Sequence, residues 1–157
     1  MGEKEKEFMR RAVELSAESM EHGGGPFGAV IVRDGKIVAE GTNNVTTGCD
    51  PTAHAEVTAI RRAAESLGNF DLAGCEIYTS CEPCPMCLGA IYWARLDRIW
   101  FANDRQDAAR AGFDDSLIYH EISLPADQRS IAMRRIDDRG AREVFERWSA
   151  QPNKIEY

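Results

Sequence analysis

The chain has 157 residues, with 19 Lys plus Arg against 26 Asp plus Glu and a formal charge of −7. That length makes one domain with a substantial core, and 43% hydrophobic with 29% charged residues is a globular mixture rather than a disordered or fibrous one. The acidic balance argues against a protein whose main task is gripping phosphate backbones, an affinity that comes from Lys and Arg displacing counterions.

The opening residues, Met1 to Lys6, are polar and charged, so no signal peptide is expected. No apolar run approaches the ~20 residues needed to cross a bilayer. Of the five cysteines (Cys49, Cys75, Cys81, Cys84 and Cys87), three fall within seven residues. An odd, clustered set is a poor disulfide framework. The expectation is a soluble cytoplasmic protein in which clustered cysteines mean metal or catalysis.

In chain order, Glu5 to Glu21 carries Phe8, Ala12, Leu15 and Met20 at roughly helical spacing, which predicts an amphipathic helix ending at His22-Gly23-Gly24-Gly25-Pro26. Phe27 to Val32 and Lys36 to Thr42 flank Arg33-Asp34-Gly35, a hairpin signal. Asn43 to Cys49 reads as a loop. Asp50-Pro51 reads as a helix start, with Asp50 as N-cap, and the helix is expected to run through Glu65 and stop near Gly68. A short strand over 76–80, a helix over 83–94 and a strand over 98–102 follow. Beyond residue 103 a strand is expected over 131–136 and a helix over 139–148, with a tail after them. Strand-helix-strand units bring parallel neighbours and right-handed crossovers, so the fold class is an α/β layered domain with a mixed sheet.

His54-Ala55-Glu56 and Pro83-Cys84-Pro85-Met86-Cys87 stand near the starts of two predicted helices. Cys84 and Cys87 are three apart, so a helical turn puts both sulfurs on one side. Two thiolates with one imidazole form a soft donor set that favours zinc, and three protein ligands leave a fourth position for water, the pattern of catalytic sites. His54 and Glu56 are separated by about 200° on a regular helix, so a metal meeting both must sit off the helix end. A redox Cys-x-x-Cys pair, or a structural zinc closed by Cys81, remains an alternative reading.

The two halves together resemble the His-x-Glu and Pro-Cys-x-x-Cys signature of the cytidine deaminase superfamily. Gly24 through Val30, Asn43 through Thr47, Asp50 through Glu56, Cys81 through Arg95, Ala111 through Ser116 and the final Glu156-Tyr157 are similar to its bacterial guanine deaminase branch. The resemblance covers most of residues 7–128. It implies a single zinc-dependent deaminase domain over 1–157, a three-layer α-β-α arrangement with a mixed five-stranded sheet, and a homodimer. It assigns one zinc to His54, Cys84 and Cys87, and the proton shuttle to Glu56. Asn43 would hydrogen-bond the purine, Phe27 and Trp93 would line the pocket, Asp115 would accept from the base, and Tyr157 would close the site.

The implied reaction is hydrolytic: water activated on the metal attacks the amino-bearing carbon, converting guanine to xanthine and ammonia. Plainer roles compete. Phe27 and Trp93 could be core aromatics, Asn43 a turn residue, Asp115 a solvated charge or helix cap, and Tyr157 a frayed terminus. Cys75 reads as a buried small side chain and Cys49 as a loop residue. The runner-up activity is a tRNA adenosine deaminase, which the −7 charge and the lack of a C-terminal Lys/Arg cluster disfavour. Cytosine or a triazine remains a candidate substrate, and a structural zinc module in an interaction protein is the non-enzymatic alternative. No nucleic-acid or membrane partner is expected.

Overall fold

The computed structural model describes residues 2–157. These divide into two compact units, one ending at Asp115 and the other spanning Ser116–Tyr157.

In the first unit, α1 (Glu3–Glu21) buries Phe8, Ala12, Leu15 and Ser19, which recur at three- and four-residue steps and so share one face. Glu3 and Glu5 lie in its first turn, where the helix dipole favours negative charge. The expected hairpin forms from β1 (Gly28–Arg33) and β2 (Lys36–Thr42), paired antiparallel. Its two turn residues, Asp34 and Gly35, both have positive φ (52° and 70°), the backbone that matches the twist of a two-residue hairpin.

The segment from 43 to 52 departs from the sequence reading twice. A short helix, α2 (Val45–Gly48), forms inside the expected loop. The following helix, α3 (Ala55–Leu67), begins four residues after Pro51, with His54 rather than Asp50 at its N-cap. Asp50 uses its carboxylate locally, accepting from the Thr52 backbone N–H at 2.8 Å and the Thr52 hydroxyl at 2.7 Å. That closes a turn two residues ahead instead of capping a helix. Gly68 ends α3 in the left-handed conformation (φ 61°), as expected.

Next come β3 (Cys75–Cys81), α4 (Pro85–Trp93), β4 (Arg98–Asn103) and α5 (Arg105–Arg110). The strands order β2-β1-β3-β4, with β1 antiparallel to both neighbours and β3 parallel to β4 across the α4 crossover. The sheet is therefore mixed but has four strands, not the five expected. Residues 131–136 form no strand, and Ile131 and Ile136 are 80% and 88% exposed. Their apolar positions, Ile131, Met133 and Ile136, change parity midway, so an extended chain here would not present one continuous face to a core.

Successive β1 residues point to opposite faces, and both faces are covered. Val30 and Val32 pack with Phe8, Ala12 and Leu15 of α1 and with Tyr78. Ala29 and Ile31 pack with Ala55, Ala59 and Ala63 of α3, Ile91 of α4 and Ile77. Burial on both sides explains why β1 is apolar throughout rather than alternating. The helix over Ala29 and Ile31 approaches very closely at Gly41 of β2. A Cβ there would lie 2.2 Å from the Ala55 carbonyl oxygen and 2.6 Å from the Ala59 nitrogen. Gly41 thus sets the height at which the N-terminus of α3 rests on the sheet.

The second unit comprises α6 (Ser116–Ser123), a 3₁₀ turn (Ala126–Gln128) and α7 (Arg139–Ser149). The Arg129 guanidinium donates to the carbonyls of Glu121 and Leu124, and the Glu121 carboxylate accepts from the Ser130 backbone and hydroxyl. Asp138 caps α7 by accepting from the Ala141 N–H at 2.9 Å. Among the described residues, no helix of either unit is long and apolar enough to cross a membrane.

Candidate metal centre

Two helices of the first unit deliver the predicted ligands. His54 is the N-cap of α3, and Cys84 is the N-cap of α4, with Cys87 in the first turn of the same helix. The metal position therefore lies off the helix ends, as the His-x-Glu spacing requires. Neither N-cap side chain makes a capping hydrogen bond to its own helix. Pro85 at the first position of α4 has no N–H to lose, and its fixed φ suits that place.

The His54 Nδ1 atom lies 3.5 Å from the Cys84 sulfur and 3.4 Å from the Cys87 sulfur. All three ligand atoms lie within 4.8 Å of one another. A tetrahedral zinc with Zn–S of ~2.3 Å and Zn–N of ~2.0–2.1 Å has an N-to-S edge of about 3.5 Å. The donor set thus fits zinc both by softness and by spacing, with Nδ1 as the imidazole ligand atom.

The electrostatics agree. Hydrogen bonds from Cys87 and then His54 draw the Cys84 thiol down to about 4. Cys87 is pushed up, because it keeps a proton shared with Cys84 and is buried. The hydrogen bond to Cys84 raises His54. Three groups in contact compete for protons, and a dication relieves that competition by holding both sulfurs as thiolates.

Cys81 does not join the cluster. Its sulfur faces the Asp104 carbonyl at 3.8 Å, and burial followed by the Glu56 charge pushes its thiol up to about 11. It stays protonated. Among the described residues the cluster offers three donors, which leaves the fourth tetrahedral position open and removes the closed structural site as a reading. Cys75 is buried and Cys49 exposed, in line with packing and loop roles.

Glu56 occupies the first turn of α3 and is only 7% exposed. Burial lifts its carboxyl above the ordinary range; its own backbone N–H opposes this, and the Cys84 thiolate adds to it. An acid held high beside a metal site is suited to taking and returning a proton.

The remaining predicted residues are placed as follows. Asn43, 7% exposed, accepts on its side-chain oxygen from the Val45 N–H at 3.2 Å, so the turn role is real. Phe27 is half-buried and meets the edge of Phe113, with ring centroids 4.8 Å apart. Phe113 had no role assigned from sequence, although it adjoins Asp114-Asp115. Asp115 is half-buried; burial raises its carboxyl, with the Cys84 charge next in effect. Asp115 thus shares an electrostatic environment with the metal cluster. Trp93 sits at the end of α4 opposite Cys84 and is 68% exposed. Tyr157 ends the second unit and is 73% exposed.

The chain is similar to known proteins. A guanine deaminase of Bacillus subtilis is 57% identical over 96% of this chain and 97% of that protein. The X-ray structure of a Bacillus subtilis guanine deaminase superposes with a TM-score of 0.95 at 55% identity, covering 100% of this chain and 99% of that one. A tRNA-specific adenosine deaminase of Haemophilus influenzae is 38% identical over 76% of this chain and 73% of that protein. A solved guanine deaminase from Nitrosomonas europaea is 35% identical with a TM-score of 0.66, covering 69% of this chain and 63% of that one. The family model of the cytidine and deoxycytidylate deaminase zinc-binding region matches residues 2–103, a span that contains His54, Glu56, Cys84 and Cys87. With that match and a three-donor site open at its fourth position, the chain belongs to the cytidine and deoxycytidylate deaminase zinc-binding family.

Proposed function

We propose that this chain is a guanine deaminase, hydrolysing guanine to xanthine and ammonia, and that its 157 residues work as one deaminase domain. The observation that carries the substrate is the extent of likeness. The match to the Bacillus subtilis guanine deaminase runs over 96% of the chain, well past the zinc-binding region at 2–103. The match to the Haemophilus influenzae tRNA deaminase stops at 76%, and the −7 charge offers little to a phosphate backbone.

His54, Cys84 and Cys87 would hold zinc, which when bound lowers the pKa of a water toward ~7 and so supplies hydroxide at neutral pH. Glu56 accepts one proton from the attacking water. A C–O bond forms at C2 of guanine as Glu56 passes that proton to the ring nitrogen, and Glu56 then moves the proton of the new C2 hydroxyl to the amine. The C–N bond then breaks, ammonia leaves and the water oxygen stays in xanthine. Asp115 accepts from the ring N–H donors of guanine, because a partly desolvated carboxylate is stabilised by donors that adenine does not present in the same place. Asn43 offers its amide N–H groups to the ring, since its side-chain oxygen is engaged by Val45. Phe27, backed edge-on by Phe113, stacks on or borders the base. Trp93, on the same unit, borders the base.

The thiolate ligands suit a reducing, cytoplasmic setting. A homodimer is the proposed working form, supported by α4, which is apolar on all sides and exposes Met86, Tyr92 and Trp93. The test is ammonia release from guanine, adenine, cytosine, cytidine, guanosine and tRNA, with tRNA binding followed against salt. Selective guanine turnover is expected. Turnover confined to adenosine in tRNA, with salt-dependent binding, would replace this reading.

A further inference from the structure

Resting on the guanine reading, we infer that Glu82 is a positioning residue, joining the turn that leads into the two cysteine ligands to the segment that presents Phe113 and Asp115. Glu82 lies two residues before Cys84 and has no role in the chemistry described above. Its backbone N–H donates to the Asn103 carbonyl at 2.8 Å. Its carboxylate accepts from the backbone N–H of Arg105, the first residue of α5, at 3.1 Å. The neighbouring Cys81 sulfur faces the Asp104 carbonyl at 3.8 Å. Residues 81–82 and 103–105 are thus stitched together at three points.

The stitch matters because α5 is only six residues long. A helix of that length is unstable alone, and it depends on how its first N–H groups are satisfied. Asp104 accepts from Gln106 and Asp107, and the Asp107 carboxylate returns a bond to the Asp104 N–H, a reciprocal cap. That leaves the Arg105 N–H, which Glu82 takes. A carboxylate there also meets the positive end of the helix.

The far end of α5 leads directly to the base-facing residues. The Phe113 N–H donates back to Ala108 at 2.9 Å, Gly112 turns the chain at φ 96°, and the Phe113 ring meets Phe27. The line from Glu82 to Asp115 is therefore one short helix and one tight turn, with no slack between them. Loss of the Glu82 anchor lets α5 shift or fray, and the partners of the base move while the metal ligands stay.

The experiment compares Glu82→Ala and Glu82→Gln in the zinc-loaded protein. Glu82→Ala is expected to raise KM for guanine about tenfold, the scale of one charge-assisted hydrogen bond. kcat should stay within about threefold, so that the loss lies in positioning of the base. Zinc should remain at one per chain, and amide hydrogen exchange over 105–115 should quicken. Glu82→Gln keeps an acceptor oxygen and should restore most of KM and of the exchange protection. Unchanged KM and exchange in Glu82→Ala would overturn the inference, and so would loss of zinc, which would make Glu82 a support of the ligand loop alone. Hydrogen exchange reads the anchor without substrate. A wild-type protein inactive on guanine therefore counts against the guanine reading and leaves the anchor to be judged by exchange.

Discussion

Gly41→Ala tests whether the sheet sets the position of the site. The new Cβ would stand 2.2 Å from the Ala55 carbonyl oxygen and 2.6 Å from the Ala59 nitrogen, both backbone atoms that cannot rotate away. To reach even a tight contact, α3 must lift by roughly 0.8 Å, and overpacking of this kind costs about 1–3 kcal/mol. For a chain of this size that is roughly 3–10 °C in Tm. The lift falls on the first turn of α3, which carries His54 and Glu56. Displacement of a reacting group by ~1 Å can cost about 100-fold in rate, so kcat/KM for guanine should fall by that order.

Gly68→Ala is the control. It forces a side chain into φ 61° at the other end of α3, at a cost of about 1 kcal/mol and ~20 Å from His54 along the helix. Differential scanning calorimetry and xanthine absorbance read the two effects. Gly68→Ala should lower Tm with kcat intact, whereas Gly41→Ala should lower both. A Gly41→Ala protein with wild-type kcat/KM would refute the claim that this contact positions the catalytic turn.

Glu56→Gln should keep one zinc per chain by metal analysis while turnover falls about 10²–10⁴-fold, the usual range for loss of a general acid-base group. Cys84→Ala should purify with zinc well below one per chain, whereas Cys81→Ala should retain it, because the Cys81 thiol faces a carbonyl and not the cluster. Arg11 binds Glu40 with two hydrogen bonds, at 2.7 and 2.9 Å, and holds its carboxyl below the ordinary 4.5. A depressed carboxylate contributes stability above its unfolded value and loses it as pH falls through the lower folded value. Glu40→Gln should therefore lower Tm at pH 7 and converge with wild type in acid below pH 4.5. A gap that persisted in acid would show that the pair acts by packing rather than charge.

The pieces legible in the sequence were those with local causes. Asp34-Gly35 announces its hairpin because both residues tolerate positive φ, and Phe8, Ala12 and Leu15 announce α1 because their spacing makes a buried face. The ligand residues were legible because Cys-x-x-Cys and His-x-Glu are short motifs whose chemistry is carried by residue type. What failed depended on competition between neighbours. Asp50 looks like a helix cap until Thr52 claims its carboxylate. The segment 131–136 has strand-forming residues, but their parity breaks at Ile136, and it forms no strand. The edge contact of Phe113 on Phe27 joins residues 86 positions apart, and no local pattern announces such a pairing.

The two N-caps carry a consequence for folding. Helix starts are ordinarily closed by Ser, Thr, Asp or Asn side chains, yet α3 and α4 begin at His54 and Cys84, whose side chains make no such capping bond. Their side chains turn instead to a common point between the two helix starts. An ion bound there acts as a shared clasp, fastening two helix beginnings in one event. Metal affinity and helix stability are then a single quantity viewed from two sides. A chelator should therefore loosen the first turns of α3 and α4 together, while α1 and the β1–β2 hairpin, fastened by their own contacts, hold.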